Sequence, residues 1–482
     1  MFLMVIWLLN IVLAALAKNL MSTSNLLGYR EARQLQQMNQ AYRLHARLIK
    51  TLDLTALHSL LLLSVHHPST LPYVRAAFVR HQPSLLRHSA AFPFNTLIRA
   101  SAADPSGALA AFNLMRAGAV PPDLFTFPLL LKACSLLPFS CADDPRRHPG
   151  VAAHALAVKH GLSADLYVAN TLVRLYGGFA LLDAALQIFV EMPLRDAVSW
   201  SALISSLASN GHDETALDAF RLMQACSPDA APDEVTMITV ITAVAHLGAP
   251  DLAAWVDRYV ARRGFALTAK MGTALITMHS RCGSMDRAAR VFDGMPQRER
   301  GVRAWTAMIV GYAAHGRSAE ALGAFDRMVG DAGLRPDHVA LIGVLTACSH
   351  GGLLEEGWRV FRSMERTPGM EPRMEHYGCM VDMMGRGGRV REAYDFVEGM
   401  PVRPNAVIWR TLLGACVSHG DVALAEQVKR RIAETEPGHD GDYVLLSNAY
   451  GWIGRWEEKD RVRCAMRVAG VAKRPGCSSL RV

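Results

Sequence analysis

The feature of this chain that most restricts its fold is a long-period internal repeat marked by the dipeptide Met-Pro. The dipeptide occurs at Met192-Pro193, Met295-Pro296 and Met400-Pro401. The spacings are 295 − 192 = 103 and 400 − 295 = 105 residues, and a shift of 105 also places Trp200 on Trp305. Such self-similarity is typical of stacked repeats, each of which packs only on its neighbours. The pattern therefore favours an extended binding surface over a single catalytic pocket.

The stretch from Val198 to Asp233 indicates how one repeat is built. In its first half, apolar residues recur at the spacing that places them on one face of a helix. This helix is expected to end near Gly211, because glycine tolerates the left-handed conformation found at many helix ends. Asp213 is expected to cap a second helix, in which Phe220 lies on the inner face. The unit is thus an antiparallel helix pair of roughly 35 residues. We predict an all-α solenoid, a right-handed superhelix of such pairs.

Repeats of three lengths follow one another in the order short, standard, long. We expect four segments along the chain: an N-terminal targeting or disordered segment (1–33), degenerate repeats (34–90), the main repeat array (91–405) and a C-terminal extension (406–482). The 51 Lys and Arg residues exceed the 43 Asp and Glu residues, giving a net charge of +8. This excess is compatible with a polyanionic partner.

The N-terminus resembles a short organelle transit peptide. The apolar run Phe2 to Ala17 has 17 − 2 + 1 = 16 residues, fewer than the roughly 20 that span a bilayer, and no positive charge precedes it as in a secretory signal. From Met21 onward the chain contains serine and no acid before Glu31. Met21 is therefore a candidate start, and we expect a mitochondrial location, with the chloroplast as the alternative.

No residue pattern in the chain indicates catalysis. The nine cysteines form no C-x-x-C pair, and most lie in apolar helical runs, as expected for small buried residues in a reducing compartment. His212-Asp213-Glu214 matches the H-x-E of zinc deaminases, but the second half of that signature is missing. Gly385-Arg386-Gly387-Gly388 is interpreted as a turn between helices. We expect no enzyme activity, no metal and no cofactor.

Several stretches resemble the pentatricopeptide repeat family, specifically its plant class of alternating standard, long and short repeats. They include FNTLIRA, VSWSALISSLASNG, LTACSHGGLLEEG and RMEHYGCMVDMMGRGGRVREAYDFVEGMP. AVIWRTLLGACVSHGDVALAEQV and the final KRPGCSSLRV resemble the family's E-type extension, and the chain stops where many relatives continue into a deaminase-like domain. The resemblance covers Tyr42 to Val482.

The resemblance implies that the fifth and last residues of a repeat together read one base of single-stranded RNA. These pairs are Asn95 with Asp123, Asn170 with Asp196, Ser201 with Asp233, and Thr306 with Asp337. By the family's pattern, Asn with Asp favours U, and Ser or Thr with Asp favours G. Two pairs depart from it: Thr273 with Gly301, and Gly378 with Asn405, which implies little selectivity. The alternative is that these side chains only cap helices and form turns.

The second residue of several repeats is apolar or aromatic and suited to packing against base faces. These residues are Phe92, Phe125, Tyr167, Val198, Val235 and Val339. The long repeats carry Pro128, Ile238 and Ile342 at the fifth position, where the side chain cannot form a hydrogen bond. We expect those three positions to space the repeats.

The resemblance implies a protein that binds single-stranded organellar RNA and selects cytidines for C-to-U editing. Because no deaminase signature is found, the deaminase is expected to be a separate protein that docks on residues 406–482. One alternative is an RNA stability, processing or translation factor without an editing role. Another is a protein-binding helical scaffold, although such arrays repeat every 34 residues or so without alternating lengths.

Overall fold

The structure is a computed structural model that describes residues 26–51, 54–85, 91–139, 147–226, 231–436 and 438–472. Within these ranges the chain forms α helices joined by short turns and contains no β-strand, so the predicted all-α class is confirmed. Handedness of the superhelix stays a prediction. The apolar run Phe2 to Ala17, Met21, Cys141, Cys477 and the terminal KRPGCSSLRV lie outside the described residues.

The chain divides into two compact units, Met1–Val240 and Ile241–Val482. The helices of the N-terminal unit are α1 (Leu26–Thr51), α2 (Leu54–His66), α3 (Leu71–Leu85), α4 (Phe92–Ala100), α5 (Pro105–Ala117), α6 (Thr126–Cys134), α7 (Pro149–Lys159), α8 (Leu166–Gly178), α9 (Leu182–Glu191), α10 (Ala197–Ser209) and α11 (Asp213–Cys226). The division between the units falls inside α12 (Glu234–Leu247).

The C-terminal unit continues the same alternation of first and second helices. Its helices are α13 (Pro250–Arg263), α14 (Ala269–Arg281), α15 (Met285–Gly294), α16 (Val302–Ala314), α17 (Ser318–Val329), α18 (His338–Gly351), α19 (Leu354–Glu365), α20 (Met374–Arg386), α21 (Val390–Glu398), α22 (Ala406–Ser418), α23 (Val422–Thr435), α24 (Asp440–Trp452) and α25 (Trp456–Val468).

The pair α10–α11 forms much as its sequence predicts. Trp200, Phe220 and Met223 are buried between the two helices. Gly211 has φ 77° in the turn that joins them, as expected for a residue that must adopt the left-handed conformation. The predicted cap at Asp213 is wrong by one position, since α11 begins at Asp213 itself. Its carboxylate lies in the first turn, where a negative charge is favourable to the helix dipole.

Aromatic packing repeats with the Met-Pro period. The Phe189 and Trp200 rings lie edge to face with centroids 4.8 Å apart, and those of Phe292 and Trp305 lie 4.6 Å apart. Edge-to-face packing places the positive ring edge against the negative ring face, which favours this geometry. The similarity at a spacing of 103 to 105 residues therefore corresponds to the same contact built twice.

First helices pack side by side on the first helices of the neighbouring repeats. In the C-terminal unit α14 contacts α16, α16 contacts α18, α18 contacts α20, and α20 contacts α22. One apolar core runs beneath them from Ile276 to Tyr450. As a result, the N-terminal turns of consecutive first helices are neighbours, and the residues that precede one first helix lie beside the side chains of the previous one.

The seven cysteines in the described ranges are free thiols. Cys134 and Cys348 are buried, and burial raises the pKa of each thiol to about 11. Both are therefore protonated near neutral pH and behave as small apolar side chains. None of the helices within the described ranges combines the length and the apolar content needed to cross a bilayer.

Candidate nucleic-acid interface

Asn95 and Asp123 are in direct contact, as their predicted pairing requires. The Asn95 amide nitrogen donates to both carboxylate oxygens of Asp123, at 2.9 and 3.2 Å. Thr126 joins the pair, because its hydroxyl lies 2.7 Å from the Asn95 oxygen and 2.9 Å from Asp123 Oδ1. Burial acts to raise the pKa of Asp123, but hydrogen bonds from Asn95, Thr126 and the Phe125 amide outweigh it and lower the pKa below its usual value.

Two further pairs are also in contact. Thr306 Oγ1 donates to Asp337 Oδ1 at 3.2 Å, and Asn170 Nδ2 lies 3.4 Å from Asp196 Oδ1, a longer and weaker bond. The oxygen of the Asn170 amide is buried and has no hydrogen-bond partner within the described residues. Its unpaired acceptor is a group that a ligand could satisfy.

The aspartates of these pairs are helix caps at the same time. Asp196 Oδ1 accepts a hydrogen bond from the Ser199 amide at 2.8 Å, and Asp337 Oδ1 accepts one from the Ala340 amide at 2.8 Å. Capping therefore does not exclude a contact with the fifth residue of the preceding repeat. One carboxylate performs both roles, since it has more than one lone pair to offer.

Two predicted pairs do not form a side-chain hydrogen bond. Ser201 is buried, and Asp233 instead accepts from the amide and hydroxyl of Thr236, at 2.8 and 2.7 Å. Thr273 donates to the Ala269 carbonyl of its own helix at 2.6 Å. Its predicted partner, Gly301, has no side chain. At these positions the structure does not pair the predicted residues.

The predicted base-packing residues are all exposed. Between 46% and 66% of the surface of each is accessible, for Phe92, Phe125, Tyr167, Val198, Val235 and Val339. In a helix the second and fifth residues of a repeat lie on one face, because they are three apart. The exposed apolar residues therefore flank the polar pairs on the face formed by the first helices.

Gly378 and Asn405, the last predicted pair, line an open cavity of ≈ 390 Å³. The cavity lies between α18, α20 and α22, and the α18 residues that line it, Thr346 and Ser349, are in the C-terminal half of that helix. Asn405 caps α22 by accepting a hydrogen bond from the Ile408 amide at 3.0 Å. Gly378 leaves empty the space that a longer side chain occupies at the fifth position elsewhere.

The H-x-E motif and the glycine-rich segment have structural roles. Glu214 lies in the first turn of α11, and in the described parts of the chain no cluster of three His, Cys, Asp or Glu side chains could hold a metal ion. Gly387 caps the C-terminus of α20 and Gly388 has φ 74°, so the predicted turn is confirmed at these two residues. Gly385 and Arg386 are instead the last two residues of α20.

A comparison with known families identifies the repeat. The family model described as PPR repeat matches residues 198–227, 273–299, 303–331, 343–367 and 375–403. The chain belongs to the pentatricopeptide repeat family. A second model, described as E motif, matches residues 419–481, in agreement with the E-type extension expected from the sequence.

Similar proteins of the family come from Arabidopsis thaliana. The chain is 41% identical over 415 residues to pentatricopeptide repeat-containing protein At1g59720, chloroplastic/mitochondrial, covering 83% of this chain and 63% of that protein. It is 39% identical to pentatricopeptide repeat-containing protein CRR2, chloroplastic, covering 74% and 53%. The chain thus spans less than two thirds of the length of these relatives. The crystal structure of the pentatricopeptide repeat protein PPR10 from maize matches 92% of this chain and 69% of that chain at 19% identity, with a TM-score of 0.49.

Two residues at the second and fifth repeat positions of this pentatricopeptide repeat protein were not predicted from the sequence. Counting from Asn405, the second residue of the next repeat is Val407, which is exposed, and the fifth is Arg410. Arg410 donates from Nε and Nη2 to the Asp442 carboxylate at 2.8 and 3.2 Å, and from Nη1 to Glu436 at 2.9 Å. Both acids lie inside the E motif. Extending the same register by one repeat would have found these residues.

Proposed function

We propose that this chain is a sequence-specific binder of single-stranded RNA in an organelle. The observation that carries the proposal is the series of contacts between fifth and last residues, at Asn95–Asp123, Asn170–Asp196 and Thr306–Asp337. Family membership supports it, because pentatricopeptide repeats read RNA at one base per helical repeat. The relatives named chloroplastic or mitochondrial support an organellar location, for which we favour the mitochondrion.

The geometry supports a simple reading scheme. At Asn170 and Thr306 one hydrogen bond to the Asp carboxylate holds the fifth residue, which leaves the Asn170 oxygen and the lone pairs of the Thr306 hydroxyl to contact a base edge. At Asn95 the amide nitrogen already bonds to Asp123 and the oxygen to Thr126. Flanking residues such as Phe125 and Tyr167 present exposed rings on which bases can stack. Specificity then comes from the polar pair, and sequence-independent affinity comes from stacking.

The test of this function is a change of specificity at one position. Thr306→Asn keeps Asp337 and its helix cap, so the repeat should stay folded. By the family's pattern the preferred base changes from G to U at one position of the target, with a penalty of about 1–3 kcal/mol for the original base. The measurement is a competition binding assay with four RNAs that differ only at that base.

Thr367→Asn serves as the matched control, because Thr367 lies in the loop after α19 and bonds only to the backbone of its own segment. It should rank the four RNAs as the wild type does. If Thr306→Asn also leaves the ranking unchanged, Thr306 does not read a base. A uniform loss of affinity for all four RNAs would instead indicate a phosphate contact.

We propose further that the bound RNA carries a cytidine for C-to-U editing by a deaminase supplied in trans, with residues 406–482 as the docking region. The E motif at 419–481 supports this assignment. A loss-of-function line should lose C-to-U conversion at one or a few organellar sites, measured by sequencing organelle transcripts. Full editing together with altered transcript length or abundance would favour a stability or processing factor.

A further inference from the structure

The cavity beside Gly378 has the size and the lining of a binding site. Its volume of ≈ 390 Å³ lies within the range of pockets that hold small molecules, roughly 300–1,000 Å³. A methyl group added at Gly378 would meet no atom within 4 Å. The fifth position of this repeat therefore provides space in which a whole nucleobase could sit, where other repeats present a side chain.

The polar groups around this space are not equivalent. Asp382 already accepts hydrogen bonds from Ser349 at 2.6 Å and Arg386 at 2.9 Å. Glu375 is exposed, and its carboxylate makes no hydrogen bond or ion pair within the described residues. It occupies the second position of its repeat, where six other repeats have an apolar or aromatic residue. Glu375 is thus the acceptor that remains available to a ligand.

The opposite wall of the cavity offers an apolar surface and a donor. Val407 is 63% exposed and lines the cavity. Asn405 uses its oxygen to cap α22, which leaves its amide nitrogen as a hydrogen-bond donor. The site therefore combines an exposed apolar side chain, one donor and one anionic acceptor, which can contact the face and the edge of a base.

We propose that Glu375 determines specificity at this repeat by selecting a base with an exocyclic amine and excluding uracil. The proposal rests on the RNA-binding function proposed above. Adenine, cytosine and guanine each have an amine that can donate to a carboxylate, as in the pairing of acidic side chains with the amine of cytosine. Uracil has no amine, and its one edge N–H is flanked by two carbonyl oxygens that a carboxylate repels.

The experiment selects bound sequences from a pool of random single-stranded RNA. The motif is aligned by the base that changes when Thr306→Asn is introduced. Because one base is read per repeat, the Gly378 position lies two bases from it, with the His338–Arg373 repeat between them. The wild type should deplete uracil there by about fivefold or more, the ratio expected for one well-formed base contact.

Two substitutions test the role of the site. Glu375→Gln removes the negative charge and provides a donor, so uracil should return to the level of the other bases. Gly378→Leu fills the cavity and should abolish any preference at this position. Gly414→Leu is the matched control, since Gly414 is also a helix glycine with nothing within 4 Å of an added methyl group and does not line the cavity.

The outcomes separate the two proposals. If the wild type enriches no motif, the sequence-specific RNA-binding function fails. If it enriches a motif but tolerates uracil at this position, or if Glu375→Gln leaves the uracil depletion unchanged, the inference about Glu375 is wrong and the function stands. Gly378→Ala should be at least as stable as the wild type, because alanine favours helix more than glycine does, and thermal unfolding verifies that the cavity variants are folded.

Discussion

Asn95 and Arg410 are both the fifth residue of a repeat, and both donate hydrogen bonds to acids. They differ in the burial and the number of those acids. Asn95 bonds to a half-exposed aspartate that precedes the next first helix. Arg410 bonds to Asp442, whose side chain is only 5% exposed, and to Glu436 as well. The acid of the first pair, Asp123, lies near the surface, whereas the second pair satisfies a guanidinium with two acids of the E motif.

The difference separates Arg410, which makes a structural contact, from the fifth residues that are proposed to read bases. Hydrogen bonding with Asp442 raises the pKa of Arg410, and the charge is held in place by three hydrogen bonds. A side chain bound in this way has few donors left for a base. The fifth residues of the repeats before Asn405 are the proposed recognition groups, whereas Arg410 at the same position connects α22 to the E motif.

The largest effect that would test this contrast is expected from Asp442→Ala. Removing the acid leaves a partly buried arginine with one remaining acidic partner, so the free energy of unfolding should fall by about 3 kcal/mol, the lower end of the range for a broken buried pair. A urea titration followed by tryptophan fluorescence measures it, since the buried Trp409 is adjacent to Arg410.

Glu392→Ala is the control for that change, because Glu392 forms an exposed ion pair with Arg389 at 3.5 Å in the same unit. Its loss should cost less than about 1 kcal/mol. Equal losses for the two variants would mean that the Arg410–Asp442 pair is an ordinary surface pair and that the contrast is not real.

A smaller effect, on specificity rather than on stability, is expected from Asn95→Ser. Thr126 and Asp123 remain bonded to each other, so the free energy of unfolding should change by less than about 1 kcal/mol. By the family's pattern the preferred base at this position should change from U to G. In competition binding, the free energy of binding to the U-containing RNA should become weaker than that to the G-containing RNA by about 1–3 kcal/mol. Asn113→Ser, an exposed change in α5, should alter neither quantity. A loss of stability without a change of preferred base would give Asn95 a structural role only.

Sequence alone predicted the helix pairs and three side-chain contacts among the six predicted residue pairs, and the reasons are local. Trp200 and Phe220 fall at helical spacing, and Gly211 marks the turn, so neighbouring residues determine this geometry. The contact of Asn95 with Asp123 follows from the register of adjacent first helices, which the repeat length sets. The one-residue error at Asp213 has the usual cause, since helix ends depend on small differences in capping.

The sequence did not predict which acids are already engaged. Ser201 and Asp233 fit the pattern as well as Thr306 and Asp337 do, but Asp233 bonds to Thr236 and forms no hydrogen bond with Ser201. The cavity at Gly378 depends on three helices that are distant along the chain, so spacing gives no measure of its volume. Both outcomes depend on side-chain geometry between repeats, which composition and periodicity do not specify.

The double role of Asp196 and Asp337 has a consequence for anyone who wishes to redirect such a protein to a new target. Each aspartate caps a helix and also bonds to the fifth residue of the preceding repeat, which is proposed to read a base. Replacing this aspartate would alter both the stability of the helix start and the RNA sequence that is proposed to bind. Replacing the fifth residue alone would alter the proposed target sequence and leave the helix cap intact. A redesign should therefore vary the fifth residues and retain the aspartates.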